Sequence, residues 1–222
     1  MKEYYKAYDD RYRRVHEKNL AWFHDMPTAI VKDTFARYGI RKEDPILEIG
    51  CGEGRDAAPL LEGGYSLLAT DVSPEAISFC KEHFPAFEDR FAVLDCVKDT
   101  LPRKFRMIYA VAVLHMLTKD EDRRAFFRFL RNHLEEDGVA LVCSMGDGES
   151  ERKTDPALAF DQETRTHEQT GTELSVAKTT FRMVPFSKFQ AEIEEEGLSV
   201  LEMGLTEGRP DYFSLMYAVC KK

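Results

Sequence analysis

Leu47-Glu48-Ile49-Gly50-Cys51-Gly52-Glu53-Gly54-Arg55, followed later by Thr70-Asp71, is the stretch whose reading decides the fold. Pro45-Ile46-Leu47-Glu48-Ile49 reads as a first strand, closed by three alternating glycines, and 55–62 as a helix stopped by Gly63-Gly64. A glycine turn between strand and helix lets a ligand approach the backbone, because a side chain there would collide with it. A second strand over 66–70 delivers Asp71 to its tip, 71 − 50 = 21 positions after the first glycine. At that spacing a carboxylate accepts hydrogen bonds from both hydroxyls of a ribose. Turn and acid together describe a site for an adenosine-containing ligand.

The same alternation continues outward. Ser73 caps the next helix, with Pro74 in its first position, and that helix runs to about Phe84. Strands follow over 91–94, 107–111 and 139–144, with a charged helix over 120–134 whose Phe126, Phe127, Leu130 and Leu134 share one face. Strands alternating with helices require right-handed crossovers, hence a doubly wound α/β fold with a mainly parallel sheet. After 145 the pattern changes to a polar stretch over 146–178, a helix near 187–196 and strands over 198–205 and 212–220, an antiparallel hairpin at one sheet edge. The expectation is a single domain over 1–222, with a helical cap over 1–40 and an insertion over 146–180 on the substrate side.

The 222 residues are enough for one well-buried core. Forty acidic against 31 basic residues, a net charge of −9, are opposite to the footprint of a protein that grips phosphate backbones, so nucleic acid is not an expected partner. No stretch holds the 18 or so uncharged apolar residues of a membrane span, and the N-terminus lacks the apolar run of a signal peptide. The expected location is the cytoplasm, as monomer or homodimer. Five cysteines without a C-x-x-C pair read as buried thiols, and no metal is expected.

The third glycine separates two ligand classes. A dinucleotide site needs glycine where this chain has Arg55, whereas here the glycines stand at 50, 52 and 54. The turn, with Glu48 two places before it, resembles the first motif of class I S-adenosylmethionine-dependent methyltransferases. The resemblance covers about 40–145 and implies a seven-stranded Rossmann-like sheet in the order 3-2-1-4-5-7-6. It implies that Glu48 belongs to the cofactor site, that Gly50, Cys51, Gly52 and Gly54 line the methionine moiety, that Asp71 holds the ribose and that Val72 packs on adenine. Asp95 and Cys96 would meet the adenine edge, and Ala110-Val111-Ala112 would face the methionine amine. Asp56 resembles a polar position in the small-molecule branch related to tellurite and thiopurine methyltransferases, and Tyr8-Asp9-Asp10-Arg11-Tyr12 is similar to the aromatic lid of that branch.

Methyl transfer from a sulfonium needs alignment and exclusion of water more than catalytic side chains. His115, after the fourth strand, is the candidate general base; its other reading is a histidine satisfied within its own turn. His24 and His167 lie in segments that cover the site, and Trp22-Phe23, near Met26 and Pro27, reads as either substrate wall or core. The Asn/Asp-Pro-Pro-Tyr signature for amino groups on bases is absent after the fourth strand, which leaves a small organic acceptor. The rivals are a nicotinamide-dependent oxidoreductase, a non-catalytic S-adenosylmethionine-binding regulator and an enzyme acting on protein.

Overall fold

The computed structural model describes residues 3–22, 27–167, 170–206 and 215–222. Two helices come first, α1 (Ala7–His16) and α2 (Ala29–Arg37), then β1 (Ile46–Ile49), α3 (Ala57–Glu62), β2 (Leu67–Asp71), α4 (Pro74–His83), β3 (Phe91–Val93) and β4 (Phe105–Val111). They are followed by α5 (Asp120–His133), β5 (Leu134–Met145), the short strands β6 (Arg152–Lys153), β7 (Gln162–Thr166), β8 (Glu173–Ala177) and β9 (Arg182–Met183), α6 (Phe186–Glu195), β10 (Ser199–Thr206) and β11 (Leu215–Lys221). Seven strands form one sheet in the order β10-β11-β5-β4-β1-β2-β3. β11 is antiparallel to both its neighbours and the other pairings are parallel, as expected for this topology.

Side chains alternate across the pleat, and each face has its own core. Leu47, Ile49, Ile108 and Ala110 pack with Phe126, Phe127 and Leu130 of α5 and Phe189 of α6. Ile46, Met107, Tyr109 and Val111 pack on the other side with Phe35 of α2, Leu60 of α3 and Ile77 of α4. Helices therefore cover both faces, and the carboxyl ends of β1, β2 and β4 open at one edge where the order reverses. Ser73 caps α4, its side chain accepting the Ala76 amide at 3.1 Å.

Two expectations change. β5 starts at Leu134 rather than 139, because α5 passes directly into extended backbone there and Leu134 pairs with Phe105 before a register shift. The polar stretch after 145 holds two small sheets, β6 with β9 and β7 with β8. Leu174 and Val176 of β8 pack on Val15 of α1, with Leu20 and Trp22 beside them. Arg11 adds hydrogen bonds to the Ala177 and Lys178 carbonyls at 2.7 and 3.2 Å. Cap and insertion thus share a satellite core over the sheet edge. Phe23, His24, Met26 and Tyr212 lie outside the described residues.

Candidate active site

A cavity of about 130 Å³ opens at the carboxyl ends of β1, β2 and β4. Its floor is the glycine turn. Gly50, Gly52 and Gly54 all have positive φ, a region that penalises any other residue type. At Gly52 close approach adds to this: a Cβ would lie 2.7 Å from the Tyr12 hydroxyl.

Asp71 pins that turn to β2. Its Oδ2 accepts the Gly52 amide at 2.9 Å and its Oδ1 the Ser73 amide at 2.8 Å. Burial raises its pKa to about 6, with the two amide bonds pulling the other way. Glu48 is buried to 2% exposure, and burial together with the nearby Asp56 charge pushes its carboxyl up to about 8. Its Oε2 has no hydrogen-bond partner. Ala112, just past β4, lines the cavity with φ +60, an uncommon value for a residue with a Cβ.

The roof is the N-terminal segment. Tyr5, Tyr8, Tyr12 and Trp22 line the cavity from above. Tyr5 and Lys6 reach the Asp95 carboxylate, at 3.2 and 2.9 Å. Asp9 accepts the Ser73 hydroxyl at 2.7 Å and the Glu75 amide at 3.2 Å. Glu53, also buried to 2%, accepts the Trp22 amide at 2.9 Å and faces His16 Nε2 at 2.8 Å. On the far side of the imidazole, Nδ1 faces Glu75 at 2.8 Å. Burial opposes the charge on His16, but its bonds to Glu53 and Glu75 outweigh that and raise its pKa.

The chain matches the methyltransferase domain family over residues 47–140, the span that runs from the glycine turn into β5. Over those residues the chain is similar to a methyltransferase domain. Solved structures share the fold across nearly the whole length. The CcbJ methyltransferase of Streptomyces caelestis superposes with a TM-score of 0.73 at 15% identity, covering 99% of both chains. Burkholderia thailandensis 1,6-didemethyltoxoflavin-N1-methyltransferase, solved with its substrate and S-adenosylhomocysteine, gives 0.69 at 15% identity over 99% of this chain and 89% of its own. The glycopeptide N-methyltransferase MtfA in complex with S-adenosylmethionine gives 0.65 at 20% identity over 91% and 96%.

Of the residues expected at the site, Glu48, Gly50, Cys51, Gly52, Asp56, Asp71, Val72, Asp95, Cys96 and Val111 all line the cavity. Two expected residues do not. Gly54 is turned away onto α4, where a Cβ would meet Phe84 at 2.9 Å and the Cys80 sulfur at 3.3 Å, so packing explains this glycine. His115 is buried to 3% in the turn after β4, and Val113, Met116 and Leu117 of that turn line the cavity in its stead. Asp56 does line it, but its oxygens are taken by the Thr28 amide at 2.6 Å, the Thr28 hydroxyl at 3.0 Å and Arg55 at 2.6 Å. His167 bonds to the Ala21 carbonyl at 2.8 Å and packs edge-on to Trp22, supporting the roof from outside. The sequence reading missed Glu53, His16 and Glu75 as a unit, since only the folded cap brings them together. Among the described residues no His, Cys, Asp and Glu group is placed to hold a metal ion, and no helix is long and apolar enough to cross a membrane.

Proposed function

We propose that the protein transfers the methyl group of S-adenosylmethionine to a nitrogen atom of a small organic molecule seated under the N-terminal cap. The observation that carries this reading is a cavity that joins the glycine turn and the ribose acid to an aromatic roof of Tyr5, Tyr8, Tyr12 and Trp22. When bound, S-adenosylmethionine supplies an electrophilic methyl on a sulfonium whose charge disappears as the carbon–sulfur bond breaks and the new bond forms. The residues present fit it: glycines that leave room at the backbone, Asp71 at the ribose, Val72 and Val97 for the adenine faces, and an unpartnered Glu48 oxygen for an ammonium.

What remains for the chain is alignment and drying of the site. The roof covers part of the cavity, and flat aromatic side chains suit a planar or apolar acceptor. A neutral amine carries its own lone pair and needs no base to expose it. A nitrogen acceptor therefore agrees with a cavity that His115 does not line. Two of the structural neighbours are named N-methyltransferases, which supports the same class. The aromatic roof, anchored to the β7–β8 sheet, favours a small acceptor over a protein segment. A supporting reading of the setting comes from Cys51, Cys80, Cys96, Cys143 and Cys220, all free thiols, as befits a reducing cytoplasm.

Parallel calorimetric titration with S-adenosylmethionine, S-adenosylhomocysteine and NAD tests the cofactor, and a radiolabelled methyl screen over small amines, phenols and carboxylates tests the acceptor. Binding of the first two ligands and labelling of amines is expected. Binding of NAD alone, or labelling confined to oxygen acceptors, would refute it.

A further inference from the structure

Arg55 follows the third glycine directly, where the chain departs from the plainer family turn. Its side chain is buried and lines the cavity beside Glu48 and Asp56. The Nη2 atom donates to Thr28 Oγ1 and to Asp56 Oδ2, each at 2.6 Å. Those two bonds fix the guanidinium, while its Nε, also buried, has no hydrogen-bond partner. Glu48 Oε2 is the complementary case, a buried acceptor of a second cavity-lining residue with no partner within hydrogen-bond distance, and the buried Tyr109 hydroxyl nearby acts on the same carboxyl. The two groups feel one another, because the arginine charge pulls the Glu48 carboxyl down against the burial that raises it.

Buried donors and acceptors are rarely left unpaired, least of all on charged groups, so two such atoms on residues lining one cavity point to a ligand that satisfies both. Their signs are opposite. An α-amino acid end has that form, an ammonium and a carboxylate on one carbon. We infer that Arg55 binds the α-carboxylate of the methionine moiety through Nε, beside Glu48 at the ammonium. Thr28 and Asp56 are then positioning residues that hold the guanidinium in orientation, which ties the start of α2 to cofactor recognition. This inference rests on the cofactor assignment made above.

The test uses three adenosine ligands on the intact protein: S-adenosylhomocysteine, its decarboxylated analogue, and 5′-methylthioadenosine, which lacks the whole amino-acid end. A charge-assisted bond of this kind corresponds to roughly 10–100-fold in affinity. Wild-type protein is expected to bind S-adenosylhomocysteine tighter than the decarboxylated analogue by that factor. Arg55→Met is expected to erase the difference while retaining 5′-methylthioadenosine, and Arg55→Lys to restore part of it. Equal wild-type affinity for the first two ligands overturns the assignment even if no variant folds. An equal loss for all three ligands in Arg55→Met overturns it too, leaving Arg55 as architecture. Wild-type protein that binds none of them would overturn the cofactor assignment itself.

Discussion

His16 Nε2 lies 2.8 Å from Glu53 Oε1, joining the first helix of the chain to the glycine turn of the cavity floor. Its other ring nitrogen faces Glu75 at the same distance, so only the doubly protonated imidazolium donates to both carboxylates. The folded pKa is raised above the unfolded value of about 6.5, and the stabilisation is therefore complete below about 6.5 and lost as pH rises through the folded value. Amide exchange in Ala7–His16, corrected for intrinsic rate, is expected to quicken as pH rises above about 6.5. His16→Gln should exchange fast throughout, and a wild-type profile that is flat with pH would count against the latch.

Asp71 holds the glycine turn and, in the function proposed here, the ribose as well, so its replacement should show both effects. Asp71→Ala leaves the Gly52 and Ser73 amides without an acceptor, a cost on the order of 1–3 kcal/mol for each that stays buried. It is expected to unfold at lower urea than wild type and to bind S-adenosylhomocysteine at least tenfold more weakly when folded. In wild-type protein the ionised carboxylate is the better ribose acceptor, and burial sets its pKa at about 6. Affinity should therefore fall as pH drops below about 6. Calorimetry at pH 5 and 7.5 checks this; equal affinities at the two values would remove Asp71 from the binding site.

Gly54 separates packing from binding. Gly54→Ala places a Cβ at φ +86 and against the Phe84 ring, at an expected cost of about 1–3 kcal/mol in denaturant unfolding. Because Gly54 is absent from the cavity wall, the folded variant should keep its affinity for S-adenosylhomocysteine. A variant of normal stability and weak binding would reverse this reading.

For His115, the expectation from its placement is a structural effect. His115→Asn should lower the thermal midpoint, since the side chain is buried, yet alter kcat by less than about threefold with an amine acceptor. A loss of a hundredfold or more, with a pH profile that loses its acidic limb, would restore His115 as the base.

Much of this protein is written locally. Short, nearly continuous apolar runs at 46–49 and 107–111, helical spacing in α5 and the glycines at 50, 52 and 54 act over a few residues, so the parallel sheet, its covering helices and the floor of the site follow from sequence. Asp71 is legible for a related reason: one crossover of ordinary length separates it from the turn, and β1 pairs with β2 in register. Even so, a glycine in a motif states only that the backbone is crowded or left-handed there. The fold decides that Gly52 meets Tyr12 and Gly54 meets Phe84.

The cap was legible in the sequence, but the contacts that hold it over the site were not, because they are long-range. His16 and Glu53 are 37 residues apart, and Arg11 meets Ala177 across 166. The polar stretch after 145 shows little hydrophobic periodicity, since β7 exposes most of its side chains and β8 buries three of five residues, Leu174 and Val176 of them on the cap's small core. His115 occupies a position where one residue's rotation about a turn decides whether it faces the cavity or the core, and no local pattern encodes that angle. The sequence by itself determined a mainly parallel sheet, its covering helices and the glycine-turn end of the site, through short-range pattern and spacing, while the strand order came from the family resemblance. Only the tertiary structure decided which contacts hold the cap over that site and which charges are left unpaired within it, because burial and pairing belong to the assembled chain.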